Sequence, residues 1–288
     1  MTSFERITIV CIDGRAGELL GAQFALTKSM SELPGSKAML LSPQRPASLS
    51  VQIAHKSIMP LGYFEYGLFV LYALHNFIDT EFALIVQEDG WVLSGSAWRD
   101  EFFKYDYIGA PIHLARVRAS GKARYVRGFQ WTEYAGQRGV RIDNVLNGGF
   151  SLRSARLLRA PMKNKIPYAL PAPDRVAGPP YELQWESDAQ YEDVFLCLNM
   201  RHTLEEKDLK FAPLEIAKVF SIEHLSPRLH AGLDLTKVLG HHSRIRKLSS
   251  LDPLQVSYQV GAGEISRIIG EDAVAKLLRQ RGYSLTFK

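Results

Sequence analysis

The chain has 288 residues, 46% of them hydrophobic, 23% charged and 10% aromatic, with a formal net charge of +5. These values exclude a disordered or low-complexity chain and allow one large core, or one core with an appendage. The opening residues lack the pattern of a cleavable leader, and the longest apolar run, 68–78, is broken by His75 and Asn76 and is too short to span a bilayer, so a cytoplasmic protein is expected.

Residues 7–12 form a short apolar run ending at Asp13-Gly14, which reads as a buried strand and a turn. A helical stripe follows over 17–30, then a second short strand over 37–41. This β-α-β opening predicts a mostly parallel sheet covered by helices. A third strand is expected over 48–54, a helix over 63–77, and a buried strand over 81–86 that runs directly into Gln87-Glu88-Asp89-Gly90. A short helical pattern at 96–103 precedes a strand at 105–109, stopped by Ala110-Pro111. Residues 113–139, with Arg116, Arg118, Lys122, Arg124 and Arg127, read as a long basic loop, functional or mobile. A strand resumes at 147–152, 161–180 is proline-rich and irregular, and 187–199 reads as a helix. Residues 211–219 read as a proline-interrupted strand or loop, and 264–269 and 271–281 as two short helices. Cys11 and Cys197 both sit in apolar runs and read as core residues, with neither metal-ligand nor disulfide spacing.

The charge is uneven. From Thr236 to Lys288 there are nine Lys/Arg and four Asp/Glu, so nine minus four leaves the whole excess of five in this tail. Such a tail suits a surface helix face or contact with phosphate, anionic lipid or an acidic glycan. It carries no nucleic-acid motif, so no nucleic-acid partner is expected.

Four groups of residues carry candidate chemistry. Glu88 and Asp89 follow a buried strand, where open α/β sheets bind ligands, and a carboxylate there can hold a divalent cation that bridges diphosphate oxygens. Asn147-Gly148-Gly149 lets backbone approach a ligand closely, or simply makes a tight turn. Glu192-Asp193 opens an apolar helical run; acids favour a first helical turn, and one of them can also serve as a general base toward a hydroxyl. His241 and His242 are adjacent, so in extended chain only one of them can face a site.

In order along the chain, LIVQEDGWVL, WRDEFFKYDYIGAP, LNGGFSLRS, EDVFLC and FSIE resemble a bacterial family of uncharacterised GT-A-like glycosyltransferases of the nucleotide-diphospho-sugar transferase superfamily, from about Ile7 to His242. The resemblance implies an α/β fold: a GT-A, Rossmann-like, mixed and mostly parallel sheet flanked by helices, over 1–243. A basic, mainly helical C-terminal extension, 244–288, lies outside it. It implies that Asp89 and His242 bind Mn²⁺ or Mg²⁺, with His241 as the fallback. Donor and nucleotide contacts are implied for Asp13, Gln87, Glu88, Asn147, Gly148 and Gly149, with glutamine standing at 87 where such enzymes commonly carry an acid. Asp193, with Glu192 beside it, is implied as the catalytic base of an inverting reaction. The implied function is metal-dependent transfer of a sugar from a nucleotide-diphosphate sugar to a glycan or lipid-linked acceptor, in bacterial surface polysaccharide synthesis. The tail would then make a peripheral contact with the inner face of the membrane or with a partner enzyme. A sugar nucleotidyltransferase and a non-catalytic binder of anionic polymer are the alternatives.

Overall fold

The computed structural model describes residues 3–288. The first half alternates strand and helix: β1 Ile7–Ile12, α1 Leu20–Glu32, β2 Lys37–Ser42, β3 Ala54–Ser57, α2 Tyr63–Tyr72, β4 Phe82–Ile85 and β5 Gly90–Val92. Two long strands joined through a hairpin arm come next: β6 Tyr107–Ala119, β7 Lys122–Val126 and β8 Val140–Ser154. Then come α3 Ala155–Lys163, a small hairpin of β9 Arg175–Ala177 and β10 Glu182–Gln184, α4 Glu192–Val194, a π-helical stretch at Phe195–Met200, α5 Arg201–Glu205 and α6 Leu214–Phe220. The chain ends with β11 Ser221–Ile222, β12 Gly240–His242, β13 Arg246–Leu251, β14 Leu254–Tyr258, α7 Ala262–Ile265, α8 Glu271–Gln280 and β15 Ser284–Thr286.

The main sheet has seven strands in the order β3-β2-β1-β4-β8-β6-β7. β3, β2, β1 and β4 pair in parallel, while β8 runs against both β4 and β6. β6 therefore points the same way as the first four, so five of the seven strands share a direction. This is a Rossmann-like, mixed and mostly parallel α/β architecture. β1 and β4 are buried along their whole length, as central parallel strands must be when helices cover both faces.

Several expectations change. The third strand is Ala54–Ser57 rather than 48–54. The strand expected to stop at Pro111 continues to Ala119, because the ladder with β8 shifts register on both sides of Pro111, and a proline without an N–H fits such an irregularity. The basic loop 113–139 is largely the β6–β7 hairpin and its return into β8. The alternation over 115–118, with Ala115 and Val117 buried against Arg116 and Arg118, is the sequence signal of that hairpin. Two of the cations in this arm, Arg116 and Arg118, converge with Arg141 on buried Asp143 and are structural. Residues 211–219 contain a helix, α6, whose Ala217, Val219 and Phe220 are buried.

Two smaller sheets matter for function. One has the order β11-β12-β5, with His242 opposite Gly90 and His241 opposite Ile222 and Trp91. The other, β13-β14-β15, lies in the C-terminal segment. Of the two expected tail helices, α8 at Glu271–Gln280 is present, while 264–269 holds only the end of the short α7, Ala262–Ile265; three strands that sequence periodicity does not show make the segment mixed rather than mainly helical. Leu248, Val256, Tyr258, Val274 and Leu278 belong to the same contiguous core as the central strands. Trp91 Nε1 donates to Tyr283 Oη at 2.9 Å, tying that core to the chain end. Much of the tail's positive charge is paired inside the molecule: buried Arg246 pairs with Glu271, Lys247 with Glu88, and Arg281 donates to the carbonyls of Leu93 and Thr236.

Candidate active site

A cavity of about 780 Å³ opens at the carboxyl ends of β1 and β4, where β8 crosses beside them. Its volume suits a ligand of nucleotide size. Asp13, Gln87, Glu88 and Asp89 line it, from the ends of the two parallel strands. Asn147, Gly148 and Gly149 line it from β8, Glu192 and Asp193 from the start of α4, and His242 from β12.

Gln87 and Gly90 exchange two backbone hydrogen bonds, of 2.8 and 2.9 Å, so Glu88 and Asp89 form the tip of a tight turn between β4 and β5. The C-terminal segment clamps this tip. Ser243 N donates to the Asp89 carbonyl at 2.8 Å and Leu248 N to the Glu88 carbonyl at 2.9 Å. The Glu88 carboxylate is taken by Lys247 and by Arg15 Nη2 at 3.2 Å. Arg15 also grips Asp13 with a bidentate pair of 2.9 and 2.7 Å. Glu88 and Asp13 thus hold cations of the protein and line the cavity as ion pairs, leaving Asp89 as the acid of the turn that no Lys or Arg takes.

The β11-β12-β5 sheet converts remote sequence into one cluster. β5 begins just after Asp89, β12 ends on His242, and β11 leads into Glu223. His242 Nε2 lies 3.4 Å from Asp89 Oδ1 and 3.2 Å from Gln87 Oε1. Its Nδ1 lies 3.4 Å from Glu223 Oε1 and 3.3 Å from Asn147 Nδ2. Burial opposes a charged imidazole, yet the carboxylates of Asp89 and Glu223 on either side outweigh it and push the His242 pKa up to about 10.

This cluster fits a divalent cation in part. Neighbouring ligands of an octahedral ion, each at about 2.1 Å, lie about 3.0 Å apart, close to the Asp89–His242 spacing. Glu223 on the far nitrogen is placed as an outer carboxylate that fixes the ring. Among the described residues no group of three or more His, Cys, Asp or Glu side chains surrounds one point. Asp89 and His242, the latter after loss of its Nε2 proton, would be the residues to hold such an ion.

The fallback His241 does not reach the cavity. Strand alternation turns it to the opposite face, where it is fully buried edge-on to Trp91 at 4.1 Å. Burial holds its pKa well below the usual histidine value, reinforced by Arg246.

Gly148 and Gly149 have a steric reason that a ligand-approach argument does not capture. A Cβ on Gly148 would lie 2.2 Å from Glu192 Oε1, and one on Gly149 would lie 2.4 Å from His242 Nε2 and 2.6 Å from Gln87 Oε1. The β8 backbone is threaded between the two halves of the site, and only glycine fits. Gly149→Ala is therefore expected to displace His242 from Asp89. Mn²⁺-dependent binding of a nucleoside diphosphate should weaken about tenfold or more, an outer-ligand-scale loss, as read by titration calorimetry, while thermal stability changes little by comparison.

Glu192 and Asp193 have different fates. Glu192 is buried in a bidentate pair with Arg153, at 2.7 and 3.1 Å, and Arg153 itself is only 1% exposed. A carboxylate held this way is not available as a base, which corrects the expectation that Glu192 shares that role. Asp193 is partly open to the cavity and accepts from Gly148 N at 3.1 Å and Val194 N at 2.8 Å. Burial, then the nearby carboxylates of Glu192 and Glu223, push its pKa up to about 7. A carboxyl group poised there can accept a proton at neutral pH.

Sequence inspection passes over four residues that the fold makes important. Glu223, Arg153, Arg244 and Tyr66 each stand in or beside the site: Tyr66 Oη holds Gln87 Nε2 at 2.9 Å, and Arg244 lines the cavity with its guanidinium over Tyr191 at 5.9 Å. Glu223 and Arg153 lie in the FSIE and LNGGFSLRS strings, where a charge inside an apolar run is the signal that could single them out. Tyr66 sits in a helix and gives no such signal.

Fold and cavity together define a Rossmann-like α/β protein with an acid–histidine cluster at its strand ends. The chain belongs to the family described as "Protein of unknown function (DUF5672)", whose sequence model matches residues 70–242. No curated protein matches it in sequence. Among solved structures, it is similar to the mannose-1-phosphate geranyltransferase of Thermus thermophilus, at 12% identity and a TM-score of 0.33, over 57% of this chain and 62% of that one. It is also similar to an active-site mutant of LgtC, at 12% identity and a TM-score of 0.39, over 95% of both chains. Overlaps this loose carry no argument about activity, and the span of the first is less than two thirds of that enzyme.

Proposed function

We propose that the protein is a metal-dependent, inverting glycosyltransferase that moves a sugar from a nucleotide-diphosphate sugar to a hydroxyl of a glycan or lipid-linked acceptor, in bacterial surface polysaccharide synthesis. One observation carries this reading: the Asp89–His242 pair and the Asp193 carboxyl, drawn from three distant segments, open into one nucleotide-sized cavity. Asp193 takes the proton of the acceptor hydroxyl as that oxygen bonds to the anomeric carbon. The bond from that carbon to the diphosphate breaks, and its electron pair leaves with the diphosphate. Asp89 and His242 would hold a divalent Mn²⁺ or Mg²⁺, which would supply Lewis-acid stabilisation of that leaving group. Arg244, beside the cluster and paired with no described carboxylate, adds positive charge on the same side.

A panel of nucleotide sugars with Mn²⁺ tests the proposal. Wild type should release nucleoside diphosphate from at least one donor, and Asp89→Ala should lose about 10²-fold or more of that rate. No turnover with any donor, or an Asp89 variant equal to wild type, overturns it. Pyrophosphate release from a nucleoside triphosphate and a sugar phosphate would favour nucleotidyl transfer instead.

No described helix is long and apolar enough to cross a membrane. A peripheral contact through the tail is part of the proposal, carried by the exposed Arg267, Lys276, Arg279 and Lys288. Deleting residues after Arg246, however, removes both Lys247 and Leu248 from the acidic turn. That truncation is expected to impair donor hydrolysis and acceptor transfer alike. Charge reversal at the four exposed cations, which leaves the turn intact, should lower transfer to a lipid-linked acceptor alone if the tail docks.

A further inference from the structure

The corner of the cavity at Arg244 combines an uncommitted positive charge with exposed apolar surface. Arg244 follows β12 closely and lines the cavity, paired with no described carboxylate. Its Nη2 lies 3.5 Å from Tyr63 Oη, and its guanidinium stands 5.9 Å over the Tyr191 ring, so two tyrosines rather than an acid hold it. The two rings meet edge to face at 5.4 Å. Tyr191 is two residues before Asp193, so this charge adjoins the base as well as the His242 cluster.

The apolar surface comes from both sides of the guanidinium. Tyr63 and Ile269 line the cavity and are each 66% exposed, so they form part of its rim. Ile245 and Ile268 line it too. Buried Arg246 pairs with Glu271, which holds the turn carrying Ile268 and Ile269 against the segment carrying Arg244 and Ile245. The same pair occupies the Glu271 carboxylate, so it does not compete for Arg244. Scattered exposed apolar side chains need no ligand, but these edge a cavity beside a cation without a counter-ion. A bare phosphate would leave the isoleucines in water. A neutral chain would leave the guanidinium unpaired. A phosphate that carries a hydrocarbon chain satisfies both.

We infer that this rim is a subsite for an amphiphilic phosphate, and that the acceptor is the lipid-linked one: its phosphate lies on Arg244, its hydrocarbon leaves across Tyr63 and Ile269, and its sugar hydroxyl points inward to Asp193. The inference rests on the glycosyl-transfer reading of the cavity and deepens it by choosing the acceptor class. The five N–H donors of a guanidinium let Arg244 face an acceptor phosphate and the leaving diphosphate from different edges.

Titration calorimetry on the full chain tests it with dodecyl phosphate, glycerol phosphate and a sugar-free dodecyl polyether, each below its micelle concentration. Each titration is run without nucleotide and again with saturating nucleoside diphosphate and Mg²⁺. Dodecyl phosphate should bind at least about tenfold tighter than glycerol phosphate, the effect of burying two methylene groups. It should exceed the polyether by about tenfold as well, through its charge-assisted hydrogen bonds. Arg244→Gln should lose about tenfold of the dodecyl phosphate affinity. Ile269→Ser, at an exposed position, should lose about fourfold, one methylene group's worth of burial, and keep the wild-type affinity for glycerol phosphate. Equal binding of the polyether or of glycerol phosphate, no binding of dodecyl phosphate, its displacement by nucleoside diphosphate, or either variant equal to wild type overturns the inference. Failure of wild type to bind any nucleoside diphosphate would instead sink the donor assignment, and the titrations without nucleotide would still decide the amphiphile subsite.

Discussion

Replacing Asp193 with asparagine is expected to cut turnover by about 10²–10⁴-fold, the usual contribution of a positioned base. Nucleoside-diphosphate affinity should barely change, because Asp193 touches the backbone of Gly148 and Val194 rather than the Asp89–His242 cluster. The wild-type pH profile adds a second check. The base must be ionised to work, so kcat/KM should fall about tenfold per pH unit below about 7, and the asparagine variant should lack that limb. Stability should move the opposite way. The native Asp193 pKa, at about 7, lies above the ordinary value of 3.8. Between those limits the native state holds a proton that the unfolded chain has lost, so wild-type stability falls as pH rises through the window and stays lower above it. Asparagine has no such proton. The stability difference should therefore shift in favour of the variant from about pH 4 to pH 7, read as denaturation midpoints across pH. A variant with wild-type turnover, or with the acid limb intact, would remove Asp193 from the chemistry.

Arg153→Met should be the most destabilising single change at the site. Arg153 is 1% exposed, bidentate with Glu192, bonded to Ser151 Oγ at 3.0 Å and stacked over the Tyr107 ring at 4.9 Å. Removing it leaves the Glu192 carboxylate buried without a partner, at a cost of about 3–5 kcal/mol. Arg153→Met with Glu192→Leu should recover most of that loss, because the apolar pair no longer strands a charge. Urea denaturation of the two single variants and the double variant reads the coupling directly. If the double variant is as unstable as the sum of the singles, the two side chains are not energetically paired.

The residues of the site are far more legible in the sequence than their division of labour. Glu192 and Asp193 look alike there: adjacent acids before an apolar helix. Which of them is free depends on Arg153, 39 positions away from Glu192 and hidden in a strand. The glycine pair is legible as a place needing no side chain. That it separates Glu192 from His242 is not, because the crowding comes from α4 on one side and β12 on the other. The basic arm misleads for a different reason. Its charges suggest a solvated loop, although Arg116 and Arg118 pair with buried Asp143 inside a β-hairpin.

Local chemistry is what the sequence determines by itself. Buried strands follow from the apolar runs of β1 and β4, and the acidic turn follows at the end of β4, because short-range pattern and strand direction are written in neighbouring residues. Convergence belongs to the tertiary structure. Only the β11-β12-β5 sheet brings both Asp89 and Glu223 to 3.4 Å from His242, and only strand alternation decides that His242, not His241, faces them. The C-terminal segment, which reads as an appendage, holds the acidic turn through Leu248 N and the Lys247 ammonium. The contact between Gln87 and His242 spans 155 positions of chain. No local pattern encodes which distant backbone will satisfy a given carbonyl, so the clamp on the turn could only be found in the folded molecule.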